Sequence, residues 1–176
     1  MVEPPSSESK REHLLDLFSA RRHDVLVESG TYLGDTVAFF IPHARRIVSI
    51  EVEPALFEAA RARFRGEQTV ELILGDALDI VPQVLQMLDT PPLLWLDGHF
   101  SGGVTGQGSE VEPAGTILFR LGRIHKPAGT TIVIDDLRLF GFDPTFPTLD
   151  ELVRNARSAF PHARLYTGLD ALVIEA

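Results

Sequence analysis

Two periodicities take turns along this chain. Between Glu12 and Ala20, Leu14, Leu15, Leu17 and Phe18 recur at the three- and four-residue steps of a helix with one buried face. Asp24 to Glu28 (DVLVE) is then a short apolar run, which predicts a buried strand. It stops in Ser29-Gly-Thr-Tyr-Leu-Gly34. A helix follows through Phe40, with Asp35 or Thr36 as its cap and Pro42 helping to end it. The unit then repeats. Arg46 to Val52 (RIVSIEV) is a β-branched strand, and Pro54 suits the first turn of a helix with Leu56, Phe57, Ala60 and Phe64 on one face. Val70 to Leu74 is a third strand, ending in Gly75-Asp76-Ala77, and Asp79 can cap the helix that carries Val84, Leu85 and Leu88. Leu93 to Leu96 is the fourth. Past a glycine-rich stretch, Thr116 to Ile124 reads as helix, Lys126 to Gly129 as a turn, and Thr130 to Ile134 as the fifth strand, ending in Asp135-Asp136. A loop with Pro144 and Pro147 leads to a helix over Leu149 to Phe160. Ala163 to Tyr166 and Ala171 to Ile174, joined by Thr167-Gly-Leu-Asp170, close as a hairpin.

Five short apolar strands separated by helices predict an α/β fold: a parallel sheet covered on both faces, extended to seven strands by an antiparallel C-terminal hairpin. In such sheets ligands bind beyond the carboxyl ends of the strands, where the strand order switches. At those ends stand Glu28, Glu51, Asp76, Asp97 with His99, and Asp135 with Asp136. Turns favour Asp and Gly for reasons of their own. A carboxylate after all five strands nevertheless converges on one rim and predicts a functional cleft there.

Composition narrows the partners. A chain of 176 residues suits one domain, with residues 1–8, rich in Pro, Ser and Glu, as a disordered lead-in and residues 9–176 as the folded unit. No apolar run approaches the roughly 20 residues of a membrane helix, and the N-terminus has no apolar signal core. No membrane partner is expected, and the cytoplasm is the expected compartment. The absence of cysteine excludes disulfides, thiolate zinc sites and cysteine nucleophiles. A net charge of −9, from 25 acidic and 16 basic residues, disfavours nucleic acid, whose phosphates reward a basic excess. The short basic groups, Arg21-Arg22, Arg45-Arg46 and Arg61, Arg63 and Arg65, read as solvated helix faces. A small-molecule partner is favoured.

The first turn says which small molecule. Gly30 and Gly34 are four apart, whereas a dinucleotide fingerprint needs G-x-G-x-x-G, and its middle glycine falls on Tyr32. That argues against NAD. No Gly-Lys-Ser/Thr follows, so the turn is no P-loop either. Glu51 lies at the end of the second strand, about 20 residues on, where a carboxylate can hold both hydroxyls of a ribose. The combination suits a nucleoside without a pyrophosphate.

These elements in this order resemble the class I S-adenosylmethionine-dependent methyltransferases: an E-x-G-x-x-x-G first loop, an acid after the second strand, Gly75-Asp76-Ala77 after the third, and the closing hairpin. The resemblance spans roughly residues 22–176 and implies a Rossmann-like doubly wound sheet with S-adenosylmethionine as cofactor. It implies that Glu28 and Gly30 line the methionine portion, with Thr31, Tyr32, Gly34, Thr36 and Asp97 also at the cofactor. It implies Glu51 at the ribose and Asp76 and Ala77 at the adenine. A narrower likeness is to the metal-dependent sugar O-methyltransferases of the macrocin type. Those carry E-T-G-x-W-x-G, then D-G-D after the fourth strand, then a D-D pair preceded by a P-G-G turn. Here the matching residues are Glu28 to Gly34, Asp97-Gly98-His99, Asp135-Asp136 and Pro127-Ala128-Gly129. The likeness implies Asp97, Asp135 and Asp136 as ligands of Mg²⁺ and His99 at the position of the catalytic base. Two departures stand out: His99 replaces an acid, and the N-terminal region is much shorter than the helical cap of those enzymes. The departures bear on the sugar rather than on methyl transfer, and a homodimer is one way to complete the missing cap.

A hydroxyl acceptor must lose its proton during methyl transfer, and a divalent cation or a general base can take up that task. Three carboxylates suit octahedral Mg²⁺. Neutral His99 can accept a proton without adding negative charge beside the metal, and in a metal-free alternative it acts alone. The other histidines, His13, His23, His43, His125 and His162, show no i, i+4 pairing and read as structural or surface residues. Residues 98–112, with Gly98, Gly102, Gly103, Gly106 and Gly108, form either a lid or an unordered loop. Phe140, Phe142 and Phe146 either wall a substrate pocket or pack on the sheet. Rival readings are a methyltransferase acting on nitrogen, which commonly carries D/N-P-P-Y/F after the fourth strand, and a non-catalytic nucleoside-binding module or partner subunit of the same fold.

Overall fold

A computed structural model describes residues 3–98 and 108–176. Seven strands form one sheet: β1 (Val25–Ser29), β2 (Arg46–Glu51), β3 (Val70–Leu74), β4 (Leu93–Leu96), β5 (Thr131–Ile134), β6 (Arg164–Gly168) and β7 (Ala171–Glu175), in the spatial order β3-β2-β1-β4-β5-β7-β6. The pairs β3-β2-β1-β4-β5 are parallel, and β7 runs antiparallel to both β5 and β6. The helices are α1 (Ser7–Ala20), α2 (Asp35–Phe40), α3 (Pro54–Arg63), α4 (Ala77–Met87), α5 (Ala114–Leu121) and α6 (Leu149–Ala159).

The central strands read as largely apolar runs because they bury both faces, whereas the edge strands β3 and β6 keep exposed residues. Leu26, Ile47, Leu93, Trp95, Val133 and Val173 point to one side, against Leu14, Leu17 and Phe18 of α1, Val37 and Phe40 of α2, and Ala60 of α3. Their neighbours Val27, Val48, Leu94, Leu96, Ile132 and Ile174 point to the other, against α4, α5 and α6. Alternate residues on opposite faces is the period of a strand, and three helices on each side complete the doubly wound arrangement. Each fully buried Leu or Phe contributes about 1.5–3 kcal/mol, so the sheet needs both helical layers. Among the described residues, no helix is long and apolar enough to cross a membrane.

Several boundaries differ from the sequence expectation. Helix α1 begins at Ser7, with the Ser6 hydroxyl accepting from the Ser9 amide, so Ser7 and Glu8 are helix rather than lead-in. Helix α2 is capped by Gly34 in a left-handed conformation instead of by Asp35 or Thr36. Helix α4 is capped by Asp76, whose carboxylate accepts from Leu78 N, while Asp79 sits in the first turn. Helix α5 starts earlier, at Ala114, whose amide donates to the Glu112 carboxylate. The β6–β7 turn is made by Leu169 and Asp170, both at positive φ, the backbone of a tight two-residue hairpin.

His23 is structural, as expected. Its ring nitrogens lie 2.9 Å from the Pro91 carbonyl and 2.8 Å from the Thr131 hydroxyl, tying the amino ends of the strands together. Phe140 and Phe146 pack edge-to-face at 5.2 Å in the core, whereas Phe142 is 88% exposed.

Candidate functional site

The strand order reverses between β1 and β4, and the loops that follow these two strands touch. Gly30, at φ +88°, has no room for a side chain: a Cβ there would lie 2.7 Å from the Asp97 carbonyl oxygen. A Cβ on Gly34 would lie 2.6 Å from the Phe64 ring. Both glycines read from sequence as ligand-shaping therefore have a packing reason in the fold itself.

Beside this contact lies a chain of buried polar groups. The Ser49 hydroxyl donates to Glu28 Oε2 at 2.6 Å and lies 2.7 Å from the Thr31 hydroxyl, and Thr36 also bonds to Glu28. Burial pushes the Glu28 carboxyl up to about 7, against these hydrogen bonds and with the help of Glu51. Glu51 accepts from Tyr32 N at 2.8 Å and from Glu53 N at 2.9 Å, one bond to each carboxylate oxygen. A carboxylate oxygen can accept more than one bond, so a second acceptor position remains on each. Asp76 accepts from Leu78 N at 2.9 Å and from Ser109 N at 2.6 Å. Burial opposes its charge, but these amides outweigh it and hold its carboxyl below the ordinary value. Ala77 opens α4 and packs against the core.

At the ends of β4 and β5, Asp97, Asp135 and Asp136 each bring a carboxylate oxygen within 4.8 Å of the others. Asp135 and Asp136 are buried, and Asp135 Oδ1 has no hydrogen-bond partner among the described residues. Burial and mutual repulsion push the Asp97 and Asp135 carboxyls up. An all-oxygen donor set with an orphaned buried oxygen fits a hard divalent cation such as Mg²⁺.

Two cations reach this group, one from the distant first helix and one from just beyond Asp136. Lys10 of α1 places its ammonium 2.6 Å from Asp135 Oδ2 and 3.3 Å from Asp136 Oδ1. Burial alone would lower the Lys10 pKa; the Asp135 hydrogen bond and the charges of Asp135, Asp136 and Asp97 outweigh burial and raise it. Arg138 donates to Asp136 Oδ1 at 2.6 Å and also pairs with Asp170. Asp170 in turn accepts from Arg138 N at 2.8 Å, and its carbonyl accepts from Leu137 N at 2.7 Å. The hairpin turn thereby braces Asp136, itself at φ +54°.

The loop after β1 and the carboxylate group share one cavity of about 220 Å³, bounded by Lys10, Glu28, Gly30, Trp95, Asp97 and Asp135. Thr31, Tyr32, Gly34 and Thr36 also line it; Glu51, Asp76 and Asp136 do not. His99 and most of the predicted lid, residues 99–107, lie outside the described residues. Lys10, Ser49, Glu112 and Arg138 were missed from sequence. Lys10 carried a readable signal: it precedes Leu14 by four residues and Leu17 by seven, which places it on the inward stripe of α1. Glu112 feels Asp136 and Asp135, and burial first of all pushes its carboxyl up to about 7.

No family model matches the chain. Among curated proteins it is 30% identical, over 57 residues, to the probable ribosomal RNA small subunit methyltransferase A of Methanosarcina mazei and to that of Methanosarcina acetivorans. The match covers 32% of this chain and 21% of each relative, so it spans about a fifth of the length of those proteins. Among solved structures, the O-methyltransferase TomG from Streptomyces achromogenes, in complex with SAM, aligns with 97% of this chain and 80% of its own, at a TM-score of 0.62 and 21% identity. The SAH-bound methyltransferase PaMTH1 of Podospora anserina covers 97% and 79%, at 0.68 and 15% identity. The 23S rRNA methyltransferase ErmE covers 98% and 69%, at 0.60 and 13% identity. The fold is that of the class I methyltransferases, as the sequence resemblance implied.

Proposed function

We propose that this chain is an S-adenosylmethionine-dependent methyltransferase acting on a hydroxyl of a small molecule. The observation that carries this reading is the shared cavity: the Glu28 to Thr36 loop, suited to a nucleoside, meets Asp97 and Asp135, suited to a cation, at the switch point of a methyltransferase fold. Glu28, Gly30, Thr31, Tyr32, Gly34, Thr36 and Asp97 hold the methionine end, Glu51 the ribose and Asp76 with Ala77 the adenine. Bound S-adenosylmethionine supplies an electrophilic sulfonium methyl. Asp97, Asp135 and Asp136 would hold a divalent cation, which would supply Lewis-acid chemistry to the acceptor hydroxyl. His99, assigned by its place after β4 in the sequence, takes the acceptor proton. The residues around the cavity position two partners and manage one proton, which is most of what a displacement at carbon asks of a protein.

The net charge of −9 favours a small acceptor over RNA. The 57-residue match to ribosomal RNA methyltransferases keeps an RNA acceptor as the alternative to be tested. Isothermal titration with S-adenosylhomocysteine and with NAD⁺ tests the cofactor: the first is expected to bind, and binding of NAD⁺ alone would overturn the reading. A turnover panel of catechols, sugars, amines and RNA fragments tests the acceptor, with transfer to hydroxyls expected. His99→Ala is expected to lower turnover by roughly 100-fold or more, with S-adenosylhomocysteine binding kept. Tight binding with no turnover on any acceptor would make the chain a binding module instead.

A further inference from the structure

The carboxylate group already has cations, Lys10 on Asp135 and Asp136 and Arg138 on Asp136, and both belong to the protein. Lys10 reaches Asp135 and Asp136 from a helix more than a hundred residues away in sequence and is 17% exposed at its side chain. Its ammonium bonds one oxygen of Asp135 and one of Asp136, while the other oxygen of Asp135 stays buried without a partner. Arg138, the second cation, is also fastened to Asp170 through both side chain and backbone, so it is built into the rim. Lys10 is not fastened in that way. Its four-carbon stem rises from the half of α1 that has no buried residue; Leu14, Leu17 and Phe18, the buried ones, all lie toward the other end. Ser7, Lys10 and Arg11 from this same half line the cavity opposite the loop after β1.

We propose that Lys10 is a tethered competitor of the divalent cation. Ammonium and ion exclude each other at Asp97, Asp135 and Asp136, and arrival of the ion releases the first half of α1 from the cavity it covers. The inference rests on the reading above that these carboxylates hold a cation. Its physical basis is charge and reach. With Lys10 and Arg138 in place one buried oxygen of Asp135 is still unbonded, and Arg138 is shared with Asp170, whereas a divalent ion in place of the ammonium supplies twice its charge and several coordination positions. An ammonium on a flexible stem is a compact point charge that can withdraw into water at little cost, unlike a guanidinium whose Nη1 bridges two carboxylates and whose own backbone amide is bonded to one of them. Once it withdraws, the polar start of α1 loses a tie that holds it over the cofactor cavity. Ion occupancy and access to the cavity are then one equilibrium, in which the ion acts only through its preference for the unlatched state.

The test uses the full chain and Mn²⁺ as probe. Mn²⁺ affinity is measured for the wild type, Lys10→Met and Lys10→Arg by titration, with S-adenosylhomocysteine binding measured on the same samples. Removing the competitor is expected to tighten Mn²⁺ binding by about tenfold or more in Lys10→Met, a typical size for coupling between linked ligands; Lys10→Arg should bind no more tightly than the wild type. Hydrogen exchange of residues 3–11 needs no variant: Mn²⁺ is expected to speed exchange there in the wild type and to change nothing in Lys10→Met. Equal Mn²⁺ affinity in wild type and Lys10→Met, no Mn²⁺ binding by either, or an unmoved exchange pattern would each overturn the proposal. Failure of S-adenosylhomocysteine to bind would instead sink the methyltransferase reading and leave the competition measured on its own.

Discussion

Two groups of carboxylates sit side by side on the rim, and they are satisfied by opposite means. Glu28 and Glu51 are held by near neighbours on β2 and by the loops after β1 and β2: the Ser49 hydroxyl, the Tyr32 and Glu53 amides, the Thr36 side chain. No cation is needed, because amides and hydroxyls pointed at a buried acceptor meet its hydrogen-bonding demand. Asp97, Asp135 and Asp136 are instead balanced by Lys10 from the first helix and by Arg138 with the last hairpin. The first group is already satisfied by near amides and hydroxyls. The second is a cluster of like charges, Asp135 and Asp136 buried, held by Lys10 from a distant helix and by Arg138 from two residues past Asp136, and breaking such a pair exposes a large uncompensated cost. A site of the first kind is suited to recognising a fixed shape, and one of the second kind to exchanging one charge for another.

The comparison is broken most severely by removing one charge from the second group. Asp135→Asn keeps the shape and deletes the charge that Lys10 pairs with at 2.6 Å. Turnover is expected to fall by about 100- to 1000-fold, on the scale of losing one preorganised charge at a reacting centre, while S-adenosylhomocysteine binding survives. Parallel loss of both would show that the two groups are one unit. The next effect lies in the first group and is read by pH. Glu28 is raised from 4.5 in the unfolded chain to about 7 in the fold, so its neutral form stabilises the fold. That contribution is complete below pH 4.5 and is lost as pH rises through 7, a swing on the order of 3 kcal/mol. Glu28→Gln should flatten the fall in thermal stability between pH 4.5 and 7.5. Glu112, raised to about 7 in the same direction, will keep part of the slope. A slope unchanged by the substitution would show that Glu28 is ionised in the fold.

The difference between the groups also explains what could be read from sequence. Strands buried on both faces are continuous apolar runs, so β1 to β5 and the carboxylates that end them were visible residue by residue, and with them the sheet and its rim. The two groups were not separable. Glu51 and Asp135 both read as an acid after a strand, and only the fold puts amides beside one and an ammonium beside the other. Lys10 stood in register with Leu14 and Leu17, but a lysine ahead of the first apolar residue of α1 reads as solvated, and only the fold shows which acids it meets. Asp76 was assigned to adenine and Asp79 to the cap, yet it is Asp76 that caps α4. An Asp that precedes a helix supports both roles. Gly30 and Gly34 showed that the chain turned tightly, while the reason, a carbonyl and an aromatic ring close by, is tertiary.

Gly30 is where the two groups meet, which makes it the third test. A methyl group there would sit 2.7 Å from the Asp97 carbonyl oxygen on a backbone at φ +88°. Gly30→Ala is expected to cost about 2 kcal/mol in denaturant titration. Because both loops must shift, it should weaken binding of S-adenosylhomocysteine and of Mn²⁺ together.

The smallest effect should be the most selective. Glu51 accepts one backbone amide on each carboxylate oxygen and keeps a further lone pair on each, which the proposed function assigns to ribose hydroxyls. Glu51→Gln preserves volume and one acceptor oxygen but turns the other into a donor facing a backbone N–H. Losing a charge-assisted hydrogen bond costs about 1.5–3 kcal/mol, or roughly tenfold in S-adenosylhomocysteine affinity at the lower end. Lys10 and the three aspartates keep all their described partners in this variant, so Mn²⁺ affinity and the exchange of residues 3–11 should stay at wild-type values. If Mn²⁺ binding falls with that of S-adenosylhomocysteine, the neighbouring carboxylates form a single electrostatic site, and the contrast between a fixed recognition group and an exchangeable charge group is wrong.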